Sequence, residues 1–131
     1  MKRSAFFVAA GLLLALPVSA QTFRAENRVN VTPVQGGFSV ANGGDMGARG
    51  MWCAAADYAR TVLHARGNQR IYVAQDRVLR QRGPVRFTLN SAGLTPKRVS
   101  ILGSSIRKAG ANLSVDHAYT FCADHRLIRG G

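Results

Sequence analysis

The sequence predicts an α+β domain in which one main helix packs on a mostly antiparallel sheet of four to six short strands, with one disulfide. One run of strong helix formers, from Gly50 to His64, is long enough for a full helix. Several segments of about five residues alternate apolar and polar side chains, which is typical of strands. The chain has two cysteines, Cys53 in the helical run and Cys122 near the C-terminus.

The first twenty residues have the order of regions found in secretory signal peptides. Lys2 and Arg3 precede an apolar run from Ala5 to Leu16, and small residues follow as far as Ala20. The apolar run of about a dozen residues is shorter than the roughly 20 that span a bilayer. We therefore expect cleavage near Ala20 and a single exported domain over residues 21–131, periplasmic or extracellular, without a transmembrane segment.

Export favours a disulfide between Cys53 and Cys122, because the compartments outside the cytoplasm are oxidising. A bond that closes a loop of about 70 residues stabilises a fold by roughly 4 kcal/mol in the chain-entropy model. A domain of this size builds only one modest core, so this contribution matters.

The chain is strongly basic. It contains 18 Lys and Arg against 6 Asp and Glu, and the exported part keeps a net charge of +10 after Lys2 and Arg3 are removed. Such a field attracts an anionic polymer, a membrane surface or an acidic protein. The large excess of Arg over Lys also fits the codon usage of a GC-rich genome, so charge alone does not specify a ligand.

The helix is predicted by its apolar period. Its buried stripe has the three-and-four spacing of a helix and consists of Trp52, Ala55, Ala56, Ala59, Val62 and Leu63. No Ser, Thr or Asp directly precedes Met51, so the predicted start is near Gly50. Gly67 suits a left-handed residue at the C-terminal end.

The segment from Val29 to Val40 predicts a hairpin that turns near residues 35–37. Pro33 interrupts its first strand and indicates that this strand lies at the sheet edge. The glycine-rich stretch 42–50 then leads into the helix. It has neither the G-x-G of dinucleotide sites nor the Gly-Lys-Ser/Thr of a P-loop. We therefore expect a flexible connection, no nucleotide and no cofactor.

Two further strands are predicted at Arg70–Ala74 and Val85–Leu89, and they can pair across a basic loop. Their exposed side would carry five arginines, which form the predicted anion-contact surface: Arg70, Arg77, Arg80, Arg82 and Arg86. The alternative is a solvated surface without a partner. No aromatic stacking platform is interleaved with these arginines in the sequence.

Shorter strands are predicted at residues 98–102 and 114–122. In the last strand Val115, His117, Tyr119 and Phe121 would share one face and Cys122 the other. If Cys122 faces the helix, His117 faces away unless a bulge reverses the phase. Packing alone would instead turn the bulkier face, which carries His117, toward the core.

A cysteine at a helix start can be a reactive thiolate, and a histidine on a later strand can act as its base. This order is similar to that of secreted papain-like peptidoglycan peptidases and amidases. The resemblance implies a thiol hydrolase with Cys53 as nucleophile and His117 as base, which a disulfide would exclude. No metal site is expected, because the His, Cys and Asp residues near Cys122 lack the spacings of zinc ligands.

The stretch Trp52-Cys53-Ala54-Ala55-Ala56-Asp57-Tyr58-Ala59 resembles a W-C-A-A-x-D-Y-A helix start found in small exported bacterial proteins. The resemblance implies a periplasmic setting and no particular activity. The leading interpretation is a non-enzymatic exported binding or accessory protein that contacts an anionic partner. The alternatives are the thiol hydrolase and an inhibitor or immunity-type protein that binds an acidic protein.

Overall fold

The computed structural model describes residues 21–43, 46–77, 82–99 and 106–129, together with Gly11. The elements in chain order are β1 (Phe23–Arg24), β2 (Asn30–Val34), β3 (Gly37–Val40), α1 (Gly47–Thr61), β4 (Arg70–Val73), β5 (Val85–Thr88), β6 (Lys97–Arg98), β7 (Ala111–Ser114), α2 (Val115–Thr120) and α3 (Cys122–Arg129). Apart from Gly11, the predicted leader lies outside the described residues.

The α+β class and the disulfide are confirmed, but the predicted strand number was too low. In the described part of the chain, seven strands form one sheet in the order β1-β2-β3-β5-β4-β7-β6, instead of four to six. The edge strand β1 has two residues, which is too short for any alternation to show in the sequence. The edge strand β6 overlaps the strand predicted at residues 98–102 only at Arg98, and residues 100–102 of that prediction lie outside the described residues. The described strand pairs are antiparallel except for β6 and β7, which run parallel.

The predicted hairpin is formed by β2 and β3, and Gly36 supplies the positive φ of 79° that its turn requires. The prediction that β2 is the edge strand was wrong, because β1 pairs with its first two residues. Pro33 lies beyond that short pairing and has a strand partner only on the β3 side, opposite Phe38. A proline is tolerated there because no second ladder needs its missing N–H.

The helix α1 begins at Gly47, three residues before the predicted start, and ends at Thr61. Val62 and Leu63 were predicted in the buried stripe, but they follow the helix and are exposed by 43% and 42%. The left-handed residue after the helix is His64, with φ of 52°, and not Gly67. The next amide, of Ala65, donates a hydrogen bond of 2.9 Å to the carbonyl of Ala59.

Gly67 has a different role from the predicted helix cap. Its carbonyl accepts a hydrogen bond of 3.0 Å from the amide of Asp116 at the start of α2. A Cβ at Gly67 would overlap the Asp116 carboxylate. The glycine therefore allows the loop after α1 to pass close to α2.

The core lies between α1 and one face of the sheet. Trp52 and its helix neighbours pack on strand residues of a single parity, and the largest fully buried side chains are Trp52, Phe38, Phe87, Met51, Ile71, Val31, Val40 and Val73. The rings of Trp52 and Phe87 lie 5.0 Å apart in an edge-on arrangement. Because alternate strand residues point to opposite faces, the other face of the sheet lies outside this core.

The predicted last strand over residues 114–122 was wrong. β7 ends at Ser114, and helices α2 and α3 follow, joined at Phe121. The Ser114 hydroxyl accepts a hydrogen bond of 3.1 Å from the His117 amide, which caps the start of α2. Val115, Ala118 and Cys122 are all fully buried, at the spacing of one helical face.

The disulfide joins Cys53 of α1 to Cys122 at the start of α3, with Cα atoms 4.9 Å apart. Both cysteines are fully buried. The bond therefore fixes the C-terminal helices against α1, which itself packs on the sheet. None of the helices in the described part of the chain combines the length and the hydropathy needed to cross a bilayer.

Candidate anion-binding face

The two residues of the thiol hydrolase alternative do not form a reactive pair. Cys53 is bonded to Cys122, so its sulfur is not available as a thiolate. His117 lies exposed on α2, with its ring 5.8 Å from that of Phe121. In the described ranges, no group of three or more His, Cys, Asp and Glu side chains is arranged to hold a metal ion.

The five arginines of the predicted anion surface separate into different environments. Arg70 of β4 and Arg86 of β5 are exposed and alternate with buried residues, so both belong to the sheet face opposite α1. Arg82 is exposed just before β5. Arg80 lies outside the described residues.

Arg77 does not contribute to this open face in the predicted way. It is half-buried, and its guanidinium donates a hydrogen bond of 2.7 Å to the carbonyl of Gly83. Its amide donates to the carbonyl of Arg107 at 2.7 Å. The first contact joins the two sides of the loop between β4 and β5, and the second attaches this loop to the segment before β7, so Arg77 has a structural role there.

The sheet adds an arginine that the sequence analysis did not assign to the surface. β6 pairs in parallel with β7, with Arg98 opposite Asn112. Arg98 is exposed, while the next residue, Val99, packs against the core. Arg98 therefore lies on the same face as Arg70 and Arg86. Its alternation with Val99 was visible in the sequence, but the pairing with β7 was not.

Strand register places these side chains around Tyr72. In β5, β4, β7 and β6 the residues Thr88, Tyr72, Asn112 and Arg98 form one row across the sheet. Strands lie about 4.8 Å apart and rise about 3.3 Å per residue, so the Cα atoms of the three arginines are roughly 7 to 10 Å from that of Tyr72. We call this surface the basic face; it consists of Arg70, Tyr72, Arg86, Arg98 and Asn112.

Asn112 holds the basic face together. Its side-chain oxygen accepts a hydrogen bond of 2.8 Å from Nε of Arg70. Its side-chain nitrogen donates to the carbonyls of Lys97 at 3.2 Å and Gly110 at 2.9 Å. Asn112 is only 8% exposed, so these contacts satisfy a buried amide. The same residue thereby orients an arginine and attaches the edge strand β6.

None of the seven strands, as far as their residues are described, contains Asp or Glu. The acidic residues of the described part lie in loops or helices: Glu26, Asp57, Asp76, Asp116 and Asp124. Two ion pairs are formed there, between Arg49 and Asp124 at 3.1 Å and between Arg126 and Glu26 at 2.9 Å. Charge is thus partly neutralised on the helical side, while the strands of the basic face contribute cations alone.

Comparison with protein-family models, with curated proteins and with solved structures finds no match in any of the three.

On the helical side, Glu26 is the centre of a cluster that ties the N-terminal segment to all three helices. It accepts hydrogen bonds from the Tyr119 hydroxyl at 2.6 Å and from Nε of Arg126 at 2.9 Å. Its amide donates to Asp57 at 2.8 Å. The guanidinium of Arg60 stacks on the Tyr119 ring, 3.9 Å from its centre. The charged groups of this cluster contact one another. The arginines of the basic face, in contrast, have no carboxylate on their strands.

The cluster makes part of the stability depend on pH. Partial burial raises the pKa of Glu26, but hydrogen bonds from Tyr119 and Arg126 and the nearby positive charges outweigh it, so the pKa lies below its ordinary value of 4.5. A lowered folded-state pKa contributes stability above the unfolded pKa, and this contribution is lost as the pH falls through the folded value.

We expect Glu26→Gln to lower the Tm by roughly 3 °C at pH 7, because the ion pair is removed while most of the packing remains. The difference from the wild type should shrink as the pH falls below 4.5. Thermal unfolding followed by circular dichroism between pH 3 and 7 measures both. A Tm difference that stays constant over this range would contradict the assigned role of the carboxylate.

Proposed function

We propose that this protein is an exported, non-enzymatic binding protein that holds an anionic polymer on its basic face. The observation that carries the proposal is the meeting of Arg70, Arg86 and Arg98, from three strands, on one sheet face whose strands contain no acidic residue. Arginine is suited to phosphate-like groups, because its planar guanidinium donates several hydrogen bonds in a fixed geometry.

Export is part of the proposal. The first twenty residues have the composition of a signal peptide, with cleavage expected near Ala20. A buried disulfide is compatible with an oxidising compartment. Since Cys53 and Cys122 are consumed by this bond, a structural role for both explains them better than nucleophilic catalysis does.

A polymer fits the basic face better than a membrane surface. Standard strand geometry places the Cα atoms of Arg70 and Arg86 about 14 Å apart, so a chain of repeated negative charges can reach both. Proteins that lie on membranes normally insert apolar side chains beside their cations. The exposed large apolar residues of the described part, Val62, Leu63, Leu127 and Ile128, follow α1 or belong to α3.

The test is a charge reversal on the face. We expect the double variant Arg86→Glu and Arg98→Glu to bind a polyanion such as long-chain polyphosphate at least about tenfold more weakly, because attraction becomes repulsion at two of three contacts. Isothermal titration at several salt concentrations measures the affinity.

The matched control is Arg28→Glu with Arg66→Glu, which makes the same change of charge in two exposed loops, between β1 and β2 and between α1 and β4. It should retain most of the wild-type affinity, because it alters the net charge without altering the face. An equal loss of polyanion affinity in the test variant and the control variant would show that overall charge, and not the basic face, governs binding. Wild-type protein that prefers an acidic protein to every polyanion of equal charge would favour the inhibitor alternative.

A further inference from the structure

Tyr72 lies near the middle of the basic face, and in the described part of the chain its side chain takes part in no hydrogen bond and no ring contact. Of the three tyrosines, Tyr58 is buried in the core and Tyr119 binds Glu26. Tyr72 is half-buried and is absent from the residues that pack against the core. Its hydroxyl has no hydrogen-bond partner within the described ranges. The exposed part of the Tyr72 ring, on the same sheet face as three arginines, is therefore available for contact with a ligand.

We infer that the anionic polymer is a single-stranded nucleic acid, one base of which stacks on Tyr72 while neighbouring phosphates contact the arginines. This inference rests on the proposed function and names its ligand. Base–aromatic stacking tolerates any sequence, because every base has a flat π-face. Open sheet faces are used in this way by several nucleic-acid-binding folds, which combine aromatic rings and cations on adjacent strands.

The arrangement of the face favours a single strand over other polyanions. The span of about 14 Å between Arg70 and Arg86 matches roughly four stacked nucleotides at 3.4 Å each. Tyr72 lies between these arginines in register, so one base can reach its ring while the flanking phosphates reach the guanidinium groups. A duplex hides the faces of its bases, and polyphosphate has no ring to stack. A duplex and polyphosphate would therefore contact the arginines but would not stack on Tyr72.

The experiment compares two ligands on three variants. Fluorescence polarisation with a labelled oligothymidylate of about 12 nucleotides measures the affinity for the single strand. Competition by polyphosphate measures the affinity for polyphosphate. We expect Tyr72→Val to weaken oligothymidylate binding roughly 5- to 150-fold and to weaken polyphosphate binding far less, because polyphosphate has no base to stack on the ring. Tyr72→Phe should stay within about twofold of the wild type for both ligands, because it keeps the ring.

The arginine variant separates the inference from the proposed function. Arg86→Glu with Arg98→Glu should weaken the binding of both ligands. The slope of log K against log salt concentration for the oligonucleotide should change from about −2 to about −0.7, because three phosphate contacts become one. If both affinities are unchanged, the proposed function fails. If both fall but Tyr72→Val binds oligothymidylate like the wild type, only the nucleic-acid inference fails.

A second measurement avoids the risk that Tyr72→Val does not fold. The wild-type protein is titrated with an oligonucleotide of the same length in which every nucleotide is abasic, so that the phosphates remain and the bases are removed. We expect this ligand to bind at least about fivefold more weakly than oligothymidylate. Equal affinities, or a duplex that binds as tightly as the single strand, would overturn the inference.

Discussion

Replacing both Cys53 and Cys122 by alanine is expected to lower the free energy of unfolding by about 4 kcal/mol. The disulfide joins residues separated by 69 positions, so it removes much conformational freedom from the unfolded chain. Domains of this size are stable by roughly 5 to 15 kcal/mol, and the loss is a large part of that. Urea unfolding followed by the fluorescence of the buried Trp52 measures it.

Mass spectrometry after alkylation provides the control for this prediction. The wild-type protein unfolded in urea without a reductant should take up no alkyl group, and the same protein unfolded with a reductant should take up two. Two modified thiols without a reductant would disprove the disulfide and make Cys53 available again as a nucleophile. A double variant as stable as the wild type would show that the bond adds nothing to the fold.

The helix α1 and the disulfide could be predicted because their signals are local or chemically unambiguous. The apolar period from Trp52 to Ala59 fits only a helix, and two cysteines allow a single intramolecular pair. The segment after Ser114 was ambiguous, since its apolar residues fit both a two-residue and a helical period. The cap by Ser114 and the burial of Val115, Ala118 and Cys122 on one side are consistent with the helix.

The basic face could be predicted only in part. The alternation in β4 and β5 was enough to assign Arg70 and Arg86 to the exposed side of the sheet. Arg77 was misplaced, because its contact with the Gly83 carbonyl depends on the path of a loop. No aromatic ring was predicted among the arginines, whereas the register places Tyr72 there. The positions of Arg98 and Tyr72 depend on pairing between distant segments, and a single sequence gives no measure of which strands will be neighbours.

Replacing Asn112 by alanine is expected to cost about 3 kcal/mol of folding free energy and to weaken polyanion binding as well. The variant loses two hydrogen bonds to the carbonyls of Lys97 and Gly110 and one from Nε of Arg70, and each such bond contributes roughly 1 kcal/mol. It also releases the Arg70 guanidinium, which would then have to be ordered by the ligand at the expense of affinity. Urea unfolding and the polyphosphate titration measure the two effects.

Asn90→Ala is the matched control, because the Asn90 side chain makes one local hydrogen bond, from the Ala92 amide at 2.9 Å, in an exposed turn. Its cost should be near 1 kcal/mol, with no change in binding. Hydrogen exchange adds a local measurement, since the Lys97 amide donates to the Gly110 carbonyl at 2.9 Å and should lose protection when Asn112 no longer holds β6. Unchanged protection of Lys97, or equal costs for the two variants, would mean that the buried amide neither attaches the edge strand nor orients the arginine. The basic face would then depend on backbone pairing alone.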